Sequence, residues 1–226
     1  MARKADPNRR STILAAAAEV FAAKGYAATR IIEVARAARV GKGTIYEYFP
    51  SKEALFFAVF EEMMSDAATA VSKATETLTG DFATCMQALS DQIISSWLDD
   101  LQMYALVMEF WSATASSPGR DRFKTTFMDG YDGLRTVVGA LIRKGQAGGE
   151  VTRDCDVEAI ASALIGTWDA LLLQAWLDPH FDPLTVSRAF MPVVLRGLGP
   201  SVESEDKPDD NALGPRADGK EIPCDP

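Results

Sequence analysis

The chain has 226 residues, of which 47% are hydrophobic, and a formal net charge of −9 at pH 7. This length allows one large domain or two smaller ones with a sizeable core. The chain has three cysteines without a CxxC pair and one histidine, which argues against a disulfide framework, a metal site and a histidine-based catalytic dyad. We therefore expect no metal, no cofactor and a reducing, cytoplasmic environment.

Charge is distributed unevenly along the sequence. Up to Lys52 there are ten basic and four acidic residues, so this part carries +6 and the remainder carries −15. A cationic N-terminal head followed by an acidic body indicates a polyanionic partner such as nucleic acid. Chance clustering on a solvated surface is the alternative.

The N-terminus is basic, but the alanine-rich stretch that follows it is interrupted by Glu19, so we predict no signal peptide. No apolar run approaches the length of a membrane span by this inspection. We expect a soluble protein with no membrane partner.

The first predicted helix begins after Asp6, a suitable N-cap, with Pro7 at its first position. Gly25 ends it. Apolar residues recur on one face between these ends, at Ile13, Leu14, Ala17, Val20 and Phe21.

Two short helices follow. The spacing of apolar residues predicts a helix over 30–38 with Thr29 as its N-cap, and a second over 40–49 after a turn at 39–42. Two helices joined by such a turn have the dimensions of a helix-turn-helix. The second helix turns Ile45 and Phe49 inward and leaves polar groups on its other faces, at Lys42, Thr44, Tyr46 and Tyr48.

Ser51 is expected to cap the next helix, which runs from Lys52 to about Leu78. Lys52 would lie at the positive end of that helix dipole, where a bound phosphate would compensate its charge. The rest of the chain is predicted to be helical, without strands, at 81–97, 101–116, 120–146, 156–177 and 182–198. Asp81, Asp156 and Asp182 are suitable N-caps for three of these helices.

The first sixty residues carry a specific pattern: Phe21-x-x-x-Gly25-Tyr26-x-x-Thr29, Val34-Ala35 and 42–55, which contains Lys-Gly-Thr-Ile-Tyr-x-Tyr-Phe-Pro-Ser-Lys-Glu-Ala-Leu. It resembles the N-terminal domain of TetR/AcrR-type transcriptional regulators. The resemblance implies an all-α protein of nine helices, with a three-helix helix-turn-helix domain and a helical effector-binding and dimerisation domain. We accordingly divide the chain into a mobile basic arm (1–7), a DNA-binding domain (8–51), an effector and dimerisation domain (52–198) and a disordered acidic tail (199–226).

The resemblance also implies which residues meet duplex DNA. Bases or nearby phosphates would be contacted by Lys42, Gly43, Thr44 and Tyr46, and the DNA backbone by Thr29, Arg30, Tyr48 and Lys52. Two residues depart from the family pattern: Arg39 replaces a usual turn glycine, and Gly41 replaces a usual serine or threonine cap. The detailed specificity for the operator is therefore left open.

The body contains a set of aromatic and methionine residues around the helix at 101–116. Such a set is usually core, but in TetR-type bodies the corresponding helices commonly enclose an effector pocket. Gln102 and Glu109 share one stripe of this apolar helix, which meets either solvent or a cavity. The predicted effector residues are Trp97, Tyr104, Met108, Glu109, Trp111, Phe127, Tyr131 and Trp168.

The last two helices carry more apolar residues than a terminal pair needs to cover one side of a body, which predicts a homodimer through a four-helix bundle. Packing within one subunit is the alternative. The predicted interface comprises Leu164, Trp168, Leu171, Leu172, Trp176, Phe190, Val193 and Val194.

The function that these features predict is a repressor that binds a palindromic operator and is released by a small apolar or amphipathic effector. The alternative is a non-specific architectural DNA-binding protein without an effector. An enzyme is not expected, because the Gly-Lys-Gly-Thr sequence at 41–44 lacks the first glycine of a phosphate-binding loop, where Arg36 stands.

Overall fold

We describe the fold from a computed structural model, which describes residues 7–98, 101–116 and 119–200, without the side chains of residues 7, 102, 114 and 116. The predicted arm before Pro7, the predicted tail after Pro200 and the proposed cap Asp6 lie outside these residues. Within this part of the chain there are nine helices and no strands, which confirms the all-α prediction. The helices are α1 Pro7–Ala28, α2 Ile31–Ala37, α3 Lys42–Tyr48, α4 Lys52–Glu76, α5 Phe82–Leu98, α6 Leu101–Ser116, α7 Arg120–Ala147, α8 Val157–Leu177 and α9 Pro183–Gly197.

Side-chain caps fix the beginnings of four helices at the predicted residues. Ser51 Oγ accepts the backbone N–H of Ala54 at 3.0 Å, which starts α4. An aspartate does the same at α5, α8 and α9, where it satisfies N–H groups that have no partner within the helix. These aspartates are Asp81, Asp156 and Asp182.

Helices α1–α3, which we call the head, contain the predicted helix-turn-helix. Helix α2 is capped differently from the prediction. Its N-cap is Arg30 and not Thr29, and the backbone N–H of Arg30 donates to Glu33 Oε2 at 2.9 Å. Arg39 in the turn between α2 and α3 has a φ of 55°, a conformation that costs a non-glycine residue about 1 kcal/mol. The turn therefore does require the backbone geometry that glycine would adopt more easily.

The head and the body, which we define as α5–α9, share a hydrophobic cluster. Phe56 of α4 packs against Phe110 of α6 with ring centroids 4.6 Å apart, and Phe60 lies at the same distance from Phe110. Phe123 of α7 lies 4.9 Å from Phe57. Helix α4 thus joins the two parts through aromatic packing that extends from α1 to α7.

Helix α8 is the centre of a second cluster, formed with α5, α7 and α9. By length and composition alone, this helix of 21 residues is long and apolar enough to cross a membrane. The expectation that no apolar segment approaches the length of a membrane span was therefore wrong. Core helices of soluble proteins have the same composition, and α8 contributes one continuous buried face, from Ala161 to Ala175, to the second cluster.

Burial in this cluster corrects half of the predicted dimer interface. Four of the eight predicted residues have at most 5% of their surface exposed and pack inside one subunit: Leu164, Trp168, Leu171 and Leu172.

Candidate functional site

Helix α3 presents one side to the core and the other to solvent. Ile45 is fully buried, whereas 45% of the Tyr46 surface is exposed, and Lys42 and Gly43 are exposed beside it. The Lys42 ammonium lies over the Tyr46 ring, 5.8 Å from its centroid. Four residues that the sequence predicts as base contacts therefore come together on one short helix, although Thr44 is only half-exposed.

Two residues that the sequence predicts as contacts with the DNA backbone form hydrogen bonds within the protein. Thr29 is buried, and its hydroxyl donates to Gly25 O at 2.7 Å. Lys52 is half-buried, and its ammonium donates to the carbonyl oxygens of Tyr26, Ala27 and Thr29 at 2.7, 3.3 and 3.1 Å. Burial corrects the prediction for the Thr29 side chain. Lys52 neutralises the negative end of α1, and its contact with a phosphate stays a prediction.

The other two residues predicted to contact the DNA backbone differ in their exposure. Arg30 is exposed at the beginning of α2. Tyr48 is half-buried against the first hydrophobic cluster. Arg30 is thus the better placed of the two to meet a phosphate.

Replacing Lys52 by alanine is expected to destabilise the protein by about 2 kcal/mol, because three carbonyl groups lose a charged donor. Denaturant unfolding followed by circular dichroism measures this change. Lys24→Ala is the control, since Lys24 makes only an exposed ion pair with Glu33, and such pairs contribute about 0–1 kcal/mol. Unchanged unfolding together with a weaker salt dependence of DNA binding would instead assign Lys52 to a phosphate.

A partly open cavity of about 310 Å³ lies between helices α4 to α8. Every helix from α4 to α8 contributes to its wall, and α4 contributes five residues, so the helix that joins head and body also touches the cavity. The lining residues are Met64, Ala67, Ala68, Val71, Ser72, Ile93, Ser96, Trp97, Tyr104, Val107, Trp111, Phe127, Asp129, Gly130, Tyr131, Gly133, Leu134, Val137, Ile165, Trp168, Asp169 and Leu172.

Six of the eight predicted effector residues line this cavity: Trp97, Tyr104, Trp111, Phe127, Tyr131 and Trp168. The structure places the other two elsewhere. Met108 packs against the second hydrophobic cluster. Glu109 contacts the head, so it meets neither of the two predicted environments, solvent or the cavity. The side chain of Gln102 lies outside the described residues.

Asp169 lines the cavity and contacts two of its tyrosines, and it was not among the predicted effector residues. The Tyr131 hydroxyl donates to Asp169 Oδ2 at 2.7 Å, and the Tyr104 hydroxyl lies 3.4 Å from the Asp169 backbone oxygen. Burial raises the pKa of the Asp169 carboxyl, and the Tyr131 hydrogen bond partly opposes this effect. Burial, followed by the charge of Asp169, raises the pKa of Tyr104 to about 12. Burial, followed by the hydrogen bond to Asp169, raises the pKa of Tyr131 as well, so both tyrosines remain donors at neutral pH.

The sequence does contain a signal for Asp169. It is the one charged residue between Glu158 and Asp178, in an otherwise apolar helix. Charged residues are seldom buried without a partner or a function. A lone carboxylate in a core helix therefore indicates a site.

The junction between head and body depends on Gly25 and Glu109. Gly25 interrupts α1 with φ 77° and ψ 159°, which exposes the next N–H group, and Tyr26 N donates to Glu109 Oε2 at 2.6 Å. A Cβ atom on Gly25 would lie 2.7 Å from Glu109 Oε1. Helix α6 therefore touches the cavity with one side, at Tyr104, and holds the end of α1 with another.

Apolar side chains remain exposed on the last two helices. Three of the eight predicted interface residues, Trp176, Phe190 and Val193, are among them, and Val194 is half-buried. The full exposed set of large apolar residues on α8 and α9 is Leu173, Trp176, Leu177, Val186, Phe190 and Val193.

Comparisons with known proteins match both parts of the chain. The model of bacterial regulatory proteins of the tetR family matches residues 13–59, and that of the BetI-type transcriptional repressor C-terminal domain matches residues 86–194. The HTH-type transcriptional repressor DhaR of Mycobacterium sp. (strain GP1) is 28% identical over 186 residues, which cover 82% of this chain and 90% of DhaR. The fatty acid metabolism regulator protein of Bacillus subtilis is 25% identical over 190 residues, covering 82% and 93% of the two chains.

Solved structures show the same fold. The transcriptional regulator FadR of Bacillus subtilis, solved in complex with stearoyl-CoA, superimposes with a TM-score of 0.70 and 21% identity, over 83% of this chain and 98% of that chain. The relatives named here are transcriptional regulators rather than enzymes. With the helix-turn-helix in its head and the repressor-type body, the chain belongs to the TetR family of transcriptional regulators.

Proposed function

We propose that the protein is a ligand-responsive repressor that binds a palindromic operator as a homodimer and is released by a small effector. The observation that carries this proposal is the double role of α6, which lines the cavity at Tyr104 and Trp111 and bonds to the head through Glu109. In this proposal residues 8–51 form the DNA-binding domain, and residues 52–198 form the effector-binding and dimerisation domain. We place its action in the cytoplasm, where operator DNA is accessible.

DNA would be bound by α3 and its surroundings. A major groove admits a helix such as α3, whose exposed Lys42 and Tyr46 would face the bases. Arg30 at the start of α2 is exposed beside Glu33 and would contact a phosphate. The +6 charge of the sequence up to Lys52 supports attraction to the phosphate backbone.

The exposed apolar residues of α8 and α9 support dimerisation. Two subunits that pair these helices would bury the six exposed side chains in a four-helix bundle. The two α3 helices would then meet successive major grooves about 34–36 Å apart, which requires an operator with inverted symmetry.

Effector control would follow from the contacts of α4 and α6. A ligand in the cavity touches both helices, and both hold the end of α1, α6 through Glu109 and α4 through Lys52. A ligand that fits one arrangement of these helices better than another shifts the population of DNA-competent heads. By linkage, operator must weaken ligand binding by the same factor.

The cavity argues against the alternative function, a non-specific architectural DNA-binding protein. A protein that only coats DNA needs the basic head, but it needs neither an aromatic-lined cavity nor a contact from the cavity helix to the head. The FadR fold holds stearoyl-CoA, according to its structure, which supports a ligand-binding body here.

Two substitutions test the proposed DNA contacts. Tyr46→Ala is expected to reduce the preference for the protein's own upstream DNA over random DNA by about tenfold, because a base contact contributes about 1–3 kcal/mol of discrimination. Arg30→Ala is expected to weaken both complexes equally and to lower the salt dependence by about one unit. Fluorescence anisotropy at several salt concentrations measures both effects. Equal losses of specificity in the two variants would contradict this division of roles.

A further inference from the structure

We propose that the cavity binds an amphipathic amine, in which a protonated amino group pairs with the Asp169 carboxylate and an apolar chain or ring fills the remaining space. This proposal rests on the effector cavity of the proposed function and names the chemical class of its ligand. It depends on the charge of the wall, the position of Asp169 and the aromatic rings around it.

The charge of the cavity wall favours a cation. Two of the lining residues that the structure describes are acidic, Asp129 and Asp169, and none is lysine, arginine or histidine. A fatty acid carboxylate or a phosphate would enter beside these carboxylates without a compensating positive charge. An ammonium group would find the opposite charge already in place.

Asp169 lacks a basic partner in the described part of the chain. Its Oδ2 accepts the Tyr131 hydroxyl, but it takes part in none of the eight ion pairs between described residues. Taking a carboxylate partly out of water is unfavourable unless an opposite charge is provided. A bound ammonium would provide that charge and form a charge-assisted hydrogen bond.

Aromatic rings complete the site. Trp168, next to Asp169 in α8, donates its Nε1–H to Ser90 Oγ at 2.9 Å, so its polar atom is already satisfied. Trp97 and Tyr104 meet edge to face, with centroids 6.3 Å apart. Tryptophan and tyrosine faces attract cations and also cover apolar groups, and a cavity of about 310 Å³ suits a small ligand.

Three probes with the same ten-carbon chain separate the head groups: decylamine, decanol and decanoate. Each is titrated into the purified full-length protein at neutral pH and without DNA, by calorimetry and by tryptophan fluorescence. Decylamine and decanoate are kept below their micelle concentrations and decanol below its solubility limit. We expect decylamine to bind at least about tenfold more tightly than decanol, and decanoate to bind most weakly, because of the charged hydrogen bond. Decanoate or decanol binding as tightly as decylamine would overturn the proposal.

The variant Asp169→Asn keeps the size of the side chain and removes its charge. It should reduce decylamine affinity to that of decanol, whereas the control Asp66→Asn, an exposed aspartate on α4 outside the cavity wall, should retain the preference. A preference that survives in Asp169→Asn would overturn the assignment. If Asp169→Asn does not fold, the three probes on the unmodified protein decide the question alone.

A separate assay distinguishes this proposal from the proposed function. The complex with upstream DNA is titrated with decylamine in a mobility-shift experiment. Release of DNA supports both proposals, whereas Asp169-dependent binding without any release contradicts effector control but leaves the ligand class standing.

Discussion

Gly25→Ala is expected to lower the free energy of unfolding by about 3 kcal/mol, the largest stability change that we predict. Its φ of 77° and ψ of 159° lie in a region that is essentially restricted to glycine. A Cβ atom would also lie 2.7 Å from Glu109 Oε1, so the Glu109 carboxylate, which accepts the Tyr26 N–H, must shift. Denaturant unfolding measures the stability.

Gly43→Ala is the matched control within the same head. A Cβ atom on Gly43 meets nothing within 4 Å, and alanine is favoured over glycine inside a helix by about 1 kcal/mol. This variant should therefore be at least as stable as the unmodified protein. If both variants unfold at the same denaturant concentration as the unmodified protein, the strained junction at Gly25 does not exist in solution.

Val193→Glu is expected to weaken the proposed dimer by at least about a hundredfold. Val193 is 58% exposed in the single subunit, and an unpaired charge buried in an apolar interface costs about 3–5 kcal/mol. Analytical ultracentrifugation over a range of concentrations measures the dissociation constant. Because a single head binds only half of a two-fold site, operator affinity should fall with dimerisation.

Met128→Glu is the control for this experiment. Met128 has a similar exposed fraction, 62%, but lies on α7, outside the proposed interface. Its substitution should leave the dimer intact. A dimer that tolerates Val193→Glu but dissociates in Met128→Glu would move the interface from α8 and α9 to α7.

The sequence predicts the helices well because their ends carry local chemical signals. Ser51, Asp81, Asp156 and Asp182 each cap the helix that they were expected to start. A cap depends on residues only two or three positions away. Such short-range hydrogen bonds are visible in the sequence itself.

Contacts between distant residues account for what the sequence did not predict at the end of α1. Lys52 bonds to carbonyl groups more than twenty residues earlier, which was not predicted. Thr29 was expected to cap α2, but it bonds back to Gly25 in α1. Neither partner can be inferred from the local pattern, because both depend on how the end of α1 meets α4.

The body was harder to predict because α6 and α8 are apolar on several faces. Periodicity fixes the orientation of a helix only when one face is polar. Met108 and Glu109 were therefore assigned to the cavity, and Leu164, Leu171 and Leu172 to a dimer surface, although the structure turns them elsewhere.

DNase footprinting across the protein's own upstream DNA tests the central claim most directly, namely that paired heads recognise a specific sequence through α3. The proposal predicts one protected segment with inverted symmetry for the unmodified protein, and about tenfold more protein needed for the same protection in Tyr46→Ala at the same salt concentration. Uniform protection along the fragment, or a footprint that Tyr46→Ala leaves unchanged, would contradict the claim.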